Sequence, residues 1–418
     1  MSGGNGVEQT GQPADQVLAA LDERQAGEPD PHDGSLFGLI YPSGDHELEE
    51  FILAVNERYL FGNALNPFRY PSLAAMEAEV VANVGELVHL PEGGGGAMTS
   101  GGTESIIMSM LVSRERARAR GIERPSILVP FSAHPAYAKA AHYFDLDVVT
   151  IPLGADHRAD VDAAAQLIDN RTAVVVASAF SYPYGLMDPV TELAALAQSH
   201  GTGCHVDACI GGFILPFLEQ LGRPVPPWDF RVPGVTEISV DIHKYGYTPK
   251  GASVILHRDA DWRDLQWFLY ADWPSGLYGS PAIAGARPAA PIATAWAVQR
   301  HLGQAGYRAI IEGLMETVAT VRAGVEAIDG LAVLGDPVGP VLAIVATDPG
   351  LDVFAIAEDL DRAGWHVNRN TDPLSIHLML SPAHGAHVSR LLADFAAATA
   401  RVRALGPGHG QDRPVRYS

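Results

Sequence analysis

Cysteine is nearly absent from this 418-residue chain, and its scarcity excludes several kinds of site. The two cysteines, Cys204 and Cys209, are too few for a disulfide framework and are not spaced as a zinc site or a CxxC redox pair. We predict that both are small buried residues. We also predict no metal site.

Basic residues are in deficit, because 28 lysines and arginines stand against 49 aspartates and glutamates and the formal net charge is −21. A protein that binds nucleic acid needs a basic face for the phosphate backbone, and this chain has no run of Lys or Arg. We therefore expect no nucleic-acid partner.

Long apolar runs are also missing, although 47% of the residues are hydrophobic, which is enough for a large buried core. No run approaches the ~20 residues of a membrane helix. The first residues include acidic side chains and glycines where a secretory signal has a basic patch and an apolar stretch. We expect a cytoplasmic protein without an integral membrane segment.

The spacing of apolar residues divides the chain into four predicted parts. Residues 1–33 are rich in Gly, Pro, Asp, Glu and Gln and are predicted as a flexible N-terminal arm, followed by an N-terminal helical segment at 34–90. From 91 to 300, short β-branched strands alternate with helices, which indicates a mainly parallel sheet covered on both faces. Residues 301–418 are predicted as a small C-terminal α+β domain with strands at 331–334, 341–345, 365–368 and 376–380.

The most specific motif follows a strand predicted over 237–240. The strand leads into Asp241, and His243 and Lys244 follow in a loop rich in Tyr, Gly and Pro. A single lysine in a loop is ordinarily a solvated surface charge. At the carboxyl edge of a parallel strand, however, it points into the crevice where α/β proteins bind ligands.

Three further motifs decide between these two interpretations of the lysine. Asp207 ends another predicted strand, where a buried carboxylate needs a partner such as a pyridinium nitrogen. Gly101, Gly102 and Thr103 precede a predicted helix, so that their amides suit a phosphate. His134 follows a third strand and could stack on an aromatic ring. Each motif alone has an ordinary structural explanation, but together with the lysine they indicate pyridoxal 5'-phosphate (PLP).

Several of these segments resemble sphingosine-1-phosphate lyases, which are fold-type I PLP enzymes of the group II decarboxylase type. The segments that carry the resemblance are TSGGTES (99–105), HVDACIGGF (205–213), DIHKYG (241–246) and DWPSGLYGSPAIAGAR (272–287). The resemblance extends from about residue 34 to beyond residue 381. It implies an α/β fold of the aspartate aminotransferase type, with a large PLP-binding domain and a small C-terminal domain. It also implies a homodimer with shared active sites.

The resemblance implies a role for each residue of the cofactor site. The implied cofactor-binding residues are Gly101, Gly102, Thr103, His134, Asp207, His243, Lys244 and Ser280, the last reaching the phosphate from a partner subunit. Lys244 is expected to form the Schiff base, Asp207 to face the pyridine nitrogen and His134 to stack on the ring. Together with Tyr41 they form the expected catalytic set. We expect Lys244 to have the lowered pKa that suits a proton shuttle.

The expected substrate-binding residues are Tyr41, Asn66, Tyr184, Lys250 and Arg287, and here the sequence departs from the family pattern. Asn66 and Tyr184 each replace a histidine of the lyases, whereas Tyr41, Lys250 and Arg287 are kept. An asparagine can donate a hydrogen bond but carries no charge, so a phosphorylated headgroup should bind less tightly or the ligand should differ. Neutral drift at a tolerant position remains the alternative explanation.

The predicted function is a PLP-dependent carbon–carbon lyase of the aldolase type. It would cleave a 2-amino-3-hydroxy compound, with a sphingoid base 1-phosphate as one candidate, to an aldehyde and an amine through an external aldimine. The alternative is an L-amino-acid decarboxylase for an aromatic substrate, because Phe180, Tyr182 and Tyr184 suggest an aromatic pocket. A non-catalytic PLP-binding regulator is disfavoured, because Lys244 is intact and a basic DNA-binding region is missing.

Overall fold

The computed structural model of the protein describes residues 10–406. The parts of the predicted arm at 1–9 and of the predicted small domain at 407–418 lie outside the described residues. Within 10–406, no helix is both long enough and apolar enough to cross a membrane. Both cysteines are buried and unpaired, as predicted.

A mixed, mainly parallel sheet of seven strands forms the centre of the larger part of the molecule. The order across the sheet is β1 (Gly95–Thr99), β7 (Ser253–His257), β6 (Val235–Asp241), β5 (Gly203–Asp207), β4 (Thr172–Ser178), β2 (Ser126–Pro130) and β3 (Asp147–Ile151). The five strands from β6 to β3 are parallel, whereas β7 is antiparallel to both of its neighbours. Strands β2, β4, β5 and β7 are buried at every position, as expected for a sheet covered on both faces.

Helices precede the sheet and connect its strands. They are α1 (Ala14–Gln25), α2 (His46–Tyr59), α3 (Pro71–Leu87), α4 (Gly102–Ala119), α5 (Ala136–Phe144), α6 (Val161–Leu167), α7 (Val190–Ser199), α8 (Leu215–Gln220), α9 (Ala260–Asp264) and α10 (Ala289–Glu326). Side-chain caps explain where two of these helices begin. Asp45 accepts hydrogen bonds from two amides of α2, and Asp160 accepts one from an amide of α6. The predicted domain boundary after residue 300 lies within α10, and that boundary stays a prediction.

A four-stranded antiparallel sheet with two helices follows α10. Its order is β10 (Leu331–Val333), β11 (Val341–Ala346), β13 (Leu374–Met379) and β12 (Asn368–Thr371), with helices α11 (Val353–Arg362) and α12 (Val388–Leu405). The strand predicted at 365–368 is wrong in position, because β12 begins only at Asn368. Trp365 and Val367 are apolar because they are buried in the core rather than because they pair in the sheet.

Two strand pairings in the larger part of the molecule were not predicted from the sequence. Strand β1 begins with two glycines, which have low strand propensity. Gly96 is nevertheless required there, since a Cβ atom at this position would lie 1.9 Å from the carbonyl oxygen of Ile255 in β7. The short hairpin of β8 (Phe268–Tyr270) and β9 (Tyr278–Ser280) is the second, and its first strand is fully exposed.

Candidate active site

One cavity of about 310 Å³ lies where the ends of β4, β5 and β6 meet the start of α4. Seven of the eight predicted cofactor residues line it, and Ser280 is the exception. Its lining residues are Ser100, Gly101, Gly102, Thr103, Glu104, Ile106, His134, Ser178, Phe180, Tyr182, Asp207, Cys209, Ile210, Asp241, His243 and Lys244. The carboxyl ends of adjacent parallel strands meet at one edge of the sheet, which brings these distant segments together.

Lys244 forms an ion pair inside this cavity. Its Nζ lies 3.0 Å from Oδ2 of Asp241, the residue that ends β6. Burial acts to lower the pKa of Lys244, but the charge of Asp241 and the other acidic groups nearby outweigh it, and the pKa lies well above its ordinary value. The expected lowered pKa is therefore wrong, because the sequence did not reveal that Asp241 would pair with the ammonium group.

Asp241 is the reciprocal half of that pair. Burial acts to raise the pKa of this carboxyl, but Lys244 and then His243 more than compensate, and the pKa lies below its ordinary value. Asp241 belongs to the sequence motif around Lys244, but no role was predicted for it. A carboxylate three residues before the lysine at a strand end is the signal that could have identified it.

His243 contributes an uncharged imidazole to the cavity. Burial lowers its pKa to about 4, so the ring is neutral at pH 7. Its Nδ1 atom is buried and has no hydrogen-bond partner among the described residues. A buried ring nitrogen without a partner suits a ligand with polar atoms, such as a phosphate.

The turn at residues 100–103, which we call the phosphate cradle, leads into α4. The first amides of a helix have no partner within it and lie at the positive end of the helix dipole. A Cβ atom at Gly102 would lie 2.8 Å from Sγ of Cys209 and 2.9 Å from either carboxylate oxygen of Asp241, so only glycine fits. The helix amides, His243 and Lys244 together match the phosphate and aldehyde groups of PLP.

Asp207 and His134 lie on other walls of the same cavity. Asp207 ends β5, and its Oδ1 accepts a hydrogen bond from the amide of Cys209 at 3.0 Å. Nδ1 of His134 accepts from the amide of Ala136 at 3.1 Å, and burial lowers the pKa of this ring. The His134 imidazole is therefore held in place without a positive charge.

Tyr41 and Lys250 line an adjoining cavity of about 320 Å³ that shares His243 with the first. The ammonium of Lys250 lies 4.6 Å from the centre of the Tyr41 ring, and the Tyr41 hydroxyl donates to Sδ of Met379 at 3.0 Å. Lys250 as a whole is exposed, but its ammonium lies among protein atoms. Burial of that group, followed by the charge of Lys244, lowers the pKa of Lys250 to about 8.

Two expected substrate residues are engaged elsewhere in the chain. The hydroxyl of Tyr184 donates to the carbonyl of Asp372, and Tyr184 lines a neighbouring cavity of about 240 Å³. Arg287 makes a two-pronged ion pair with the carboxylate of Glu77, at 2.6 and 2.8 Å. Neither side chain lines the cofactor cavity of its own chain.

Asn66 and Ser280 also lie outside the cavity of their own chain. Asn66 is exposed, and its Oδ1 accepts hydrogen bonds from the amides of Phe68 and Arg69 at 3.0 and 3.1 Å. Ser280 is buried, with its hydroxyl 2.9 and 3.0 Å from the carbonyls of Ala282 and Ala284. The roles assigned to these two residues stay predictions.

Known proteins are similar to this chain over most of its length. Residues 62–341 match the family model of the pyridoxal-dependent decarboxylase conserved domain. Sphingosine-1-phosphate lyase 1 of Mus musculus is 38% identical over 370 residues, which cover 88% of this chain and 65% of that protein. The sphingosine-1-phosphate lyase of Oryza sativa is 39% identical over 91% of this chain and 72% of its own length. The chain thus spans slightly less than two thirds of the mouse relative.

Solved structures also resemble this chain over nearly its full length. The sphingosine-1-phosphate lyase of Burkholderia pseudomallei superposes with a TM-score of 0.92 at 38% identity, over 96% of this chain and 94% of that one. A Lactobacillus brevis glutamate decarboxylase has a TM-score of 0.83 over 97% of this chain and 96% of its own, but at 21% identity it shows the fold alone.

The sheet order and the site around Lys244 define a fold-type I PLP-dependent enzyme, which confirms the predicted fold class. The chain belongs to the pyridoxal-dependent decarboxylase family, in its sphingosine-1-phosphate lyase branch. Membership of this family confirms the predicted cofactor, PLP.

Proposed function

We propose that this protein is a PLP-dependent lyase that cleaves the C2–C3 bond of a 2-amino-3-hydroxy compound, with a sphingoid base 1-phosphate as the foremost candidate. The observation that carries the proposal is the arrangement of two cavities around His243. One is lined by Lys244 and the phosphate cradle and the other by Lys250, which we propose as the ligand of an anionic headgroup. Relatives at 38–39% identity are named sphingosine-1-phosphate lyases.

The residues around the first cavity would hold PLP by complementary chemistry. When bound, PLP supplies an electron-withdrawing ring that accepts the electrons of the cleaved bond. The proposed cofactor contacts are Lys244 for the aldehyde carbon, Asp207 for the pyridine nitrogen, His134 for the ring face, and Gly101, Gly102, Thr103 and His243 for the phosphate.

Proton transfer falls to Lys244 and Tyr41 in this proposal. Cleavage requires a base for the C3 hydroxyl proton and an acid that returns a proton to C2. The Asp241 carboxylate keeps free Lys244 in its charged form, and we propose that this side chain carries the proton that is returned to C2. Tyr41 lies near enough for electrostatic interaction with Lys244, and we propose it as the second group that exchanges protons.

We also propose a homodimer with shared active sites. The side chains of Phe61 and Phe68, on either side of Asn66, are 94% and 93% exposed, and Leu269 and Leu277 are exposed in the segment that leads to Ser280. Large apolar side chains with this exposure are candidates for burial at a protein–protein interface. We propose that the dimer interface covers them and that Asn66 and Ser280 act at the partner's cofactor site. The predicted cytoplasmic location stays a prediction.

An aromatic amino-acid decarboxylase is the second candidate, because Phe180 and Tyr182 line the cofactor cavity. It is less well supported, since a glutamate decarboxylase and a tryptophan decarboxylase of similar fold share only 21% and 13% identity with this chain.

A substrate panel tests the proposal. Purified protein loaded with PLP is incubated separately with sphinganine 1-phosphate, unphosphorylated 2-amino-3-hydroxy compounds and aromatic amino acids, and aldehyde, amine and carbon dioxide are measured by mass spectrometry. We expect a long-chain aldehyde and phosphoethanolamine without carbon dioxide. Carbon dioxide from an aromatic amino acid would favour the decarboxylase, and the absence of any aldehyde would contradict the lyase.

A further inference from the structure

Glu104 is a buried carboxylate at the cofactor cavity to which the proposed function assigns no role. It is the third residue of α4, and it is 8% exposed. Its Oε2 accepts a hydrogen bond from the amide of Ser100, in the phosphate cradle, at 2.7 Å. Its Oε1 accepts one from the amide of Ile283, also at 2.7 Å. A single carboxylate therefore joins the cradle to a loop that is distant in sequence.

The loop that donates the second hydrogen bond, residues 281–284, is also anchored by Gln266. Nε2 of Gln266 donates to the carbonyl of Pro281 at 2.6 Å, while Oε1 of Gln266 lies 2.8 Å from Nε2 of His257 in β7. Both side chains are buried. This loop follows directly after Ser280, whose hydroxyl makes its hydrogen bonds within it.

We propose that Glu104 is a positioning residue that holds the phosphate cradle and the 281–284 loop in a fixed relation. The inference rests on the proposed assignment of the cradle to the cofactor phosphate. Hydrogen bonds from amides to a carboxylate are stronger than those between neutral groups, and the two oxygens serve one amide each. Glutamine has one acceptor oxygen, so in Glu104→Gln its NH₂ group would face a backbone N–H without an acceptor.

The charge of Glu104 by itself predicts the opposite change in PLP affinity. A carboxylate beside a phosphate site repels the phosphate, so removal of its charge would strengthen PLP binding if Glu104 did nothing else. A positioning role predicts the reverse, because Glu104→Gln would loosen the cradle that receives the phosphate. The direction of the change in affinity therefore separates the two explanations.

The experiment compares cofactor-free wild type and Glu104→Gln as full-length chains, titrated with PLP and with pyridoxal, which has no phosphate. Intrinsic fluorescence and cofactor absorbance report binding. We expect the Kd for PLP to rise at least about tenfold, which corresponds to about 1.4 kcal/mol, and the Kd for pyridoxal to change much less. Equal or tighter PLP binding in the variant would overturn the proposal, as would an equal loss for both ligands.

Asp352→Asn is the matched control. The Asp352 carboxylate also accepts hydrogen bonds from two amides, those of Phe354 and Ala355, but at the start of α11, far along the chain from the cradle. This variant should leave the ratio of PLP to pyridoxal affinity unchanged. The unfolding temperature of each cofactor-free variant shows whether it is folded, and if Glu104→Gln is not, Glu104→Asp takes its place. Its shorter side chain cannot reach both amides, so the same selective loss is expected.

The failure of the proposed function is distinguishable from the failure of this inference. Wild-type protein that binds PLP but releases no aldehyde would contradict the lyase, while the comparison between PLP and pyridoxal would still test Glu104.

Discussion

The cofactor side and the substrate side of this site are built in different ways. On the cofactor side, all the predicted residues except Ser280 lie at strand ends of one sheet and in the turns beside them, and they share one cavity. On the substrate side, only Tyr41 and Lys250 meet, whereas Asn66, Tyr184 and Arg287 interact with other parts of their own chain. A single sheet edge can assemble a cofactor site within one chain. Residues in loops and terminal segments depend on packing between domains or subunits.

Removal of the Lys244 amine should have the largest effect on cofactor attachment and turnover. It tests the main assignment on the cofactor side. We expect Lys244→Ala to lose the covalent attachment of PLP and to reduce turnover by roughly 1,000-fold or more, because both attachment and proton transfer depend on this amine. Visible absorbance of the purified protein and product formation measure the two losses. Lys139→Ala, at an exposed position of α5, is the control and should behave as wild type. Normal absorbance in Lys244→Ala would refute the assignment.

Asp207→Asn should have the next largest effect. The amide can keep the hydrogen bond from Cys209 but has no charge to stabilise a pyridinium nitrogen. Loss of a charge-assisted hydrogen bond costs roughly 1.5–3 kcal/mol, which corresponds to a loss of turnover of roughly 10- to 150-fold. Steady-state kinetics at saturating PLP measure this loss. An unchanged kcat would mean that Asp207 does not face the ring nitrogen.

The pH dependence of KM tests the proposed role of Lys250 on the substrate side. Its pKa of about 8 means that the side chain is an ammonium below that pH and a neutral amine above it. We expect KM for a phosphorylated substrate to rise by up to about tenfold from pH 7 to pH 9, because the neutral amine no longer attracts the phosphate. In Lys250→Arg the charge persists, so the rise should disappear. An unphosphorylated substrate should show no such rise, and the same slope for both substrates would exclude Lys250 as the headgroup ligand.

Asn66→His should have the smallest effect. If the exposed Asn66 faces a partner's substrate, a histidine should increase kcat/KM for a phosphorylated substrate by up to about fivefold, since a charge-assisted hydrogen bond replaces a neutral one. The change should also slightly reduce stability, because the Asn66 side chain caps its own turn. Asn63→His removes a similar turn contact and is the control. Equal kinetics in both variants would indicate neutral drift at Asn66.

Much of the larger sheet could be predicted because its buried strands are short, apolar and separated by helices. Strand β1 could not, since its glycines are selected by close contact with β7 rather than by strand propensity. The strand predicted at 365–368 was misplaced for a related reason. Burial of Trp365 in the core produces the same apolar signal as pairing in a sheet.

By itself, the sequence determined the identity and order of the groups proposed to bind the cofactor: a glycine turn before a helix, a histidine, an aspartate and a lysine at strand ends. These can be predicted because local chain geometry places each of them at the same sheet edge. Only the tertiary structure decided the ion pair of Lys244 with Asp241 and the two hydrogen bonds that Glu104 accepts. The physical reason is that pKa values and bridging hydrogen bonds depend on distances between atoms from separate segments, and no local pattern encodes those distances.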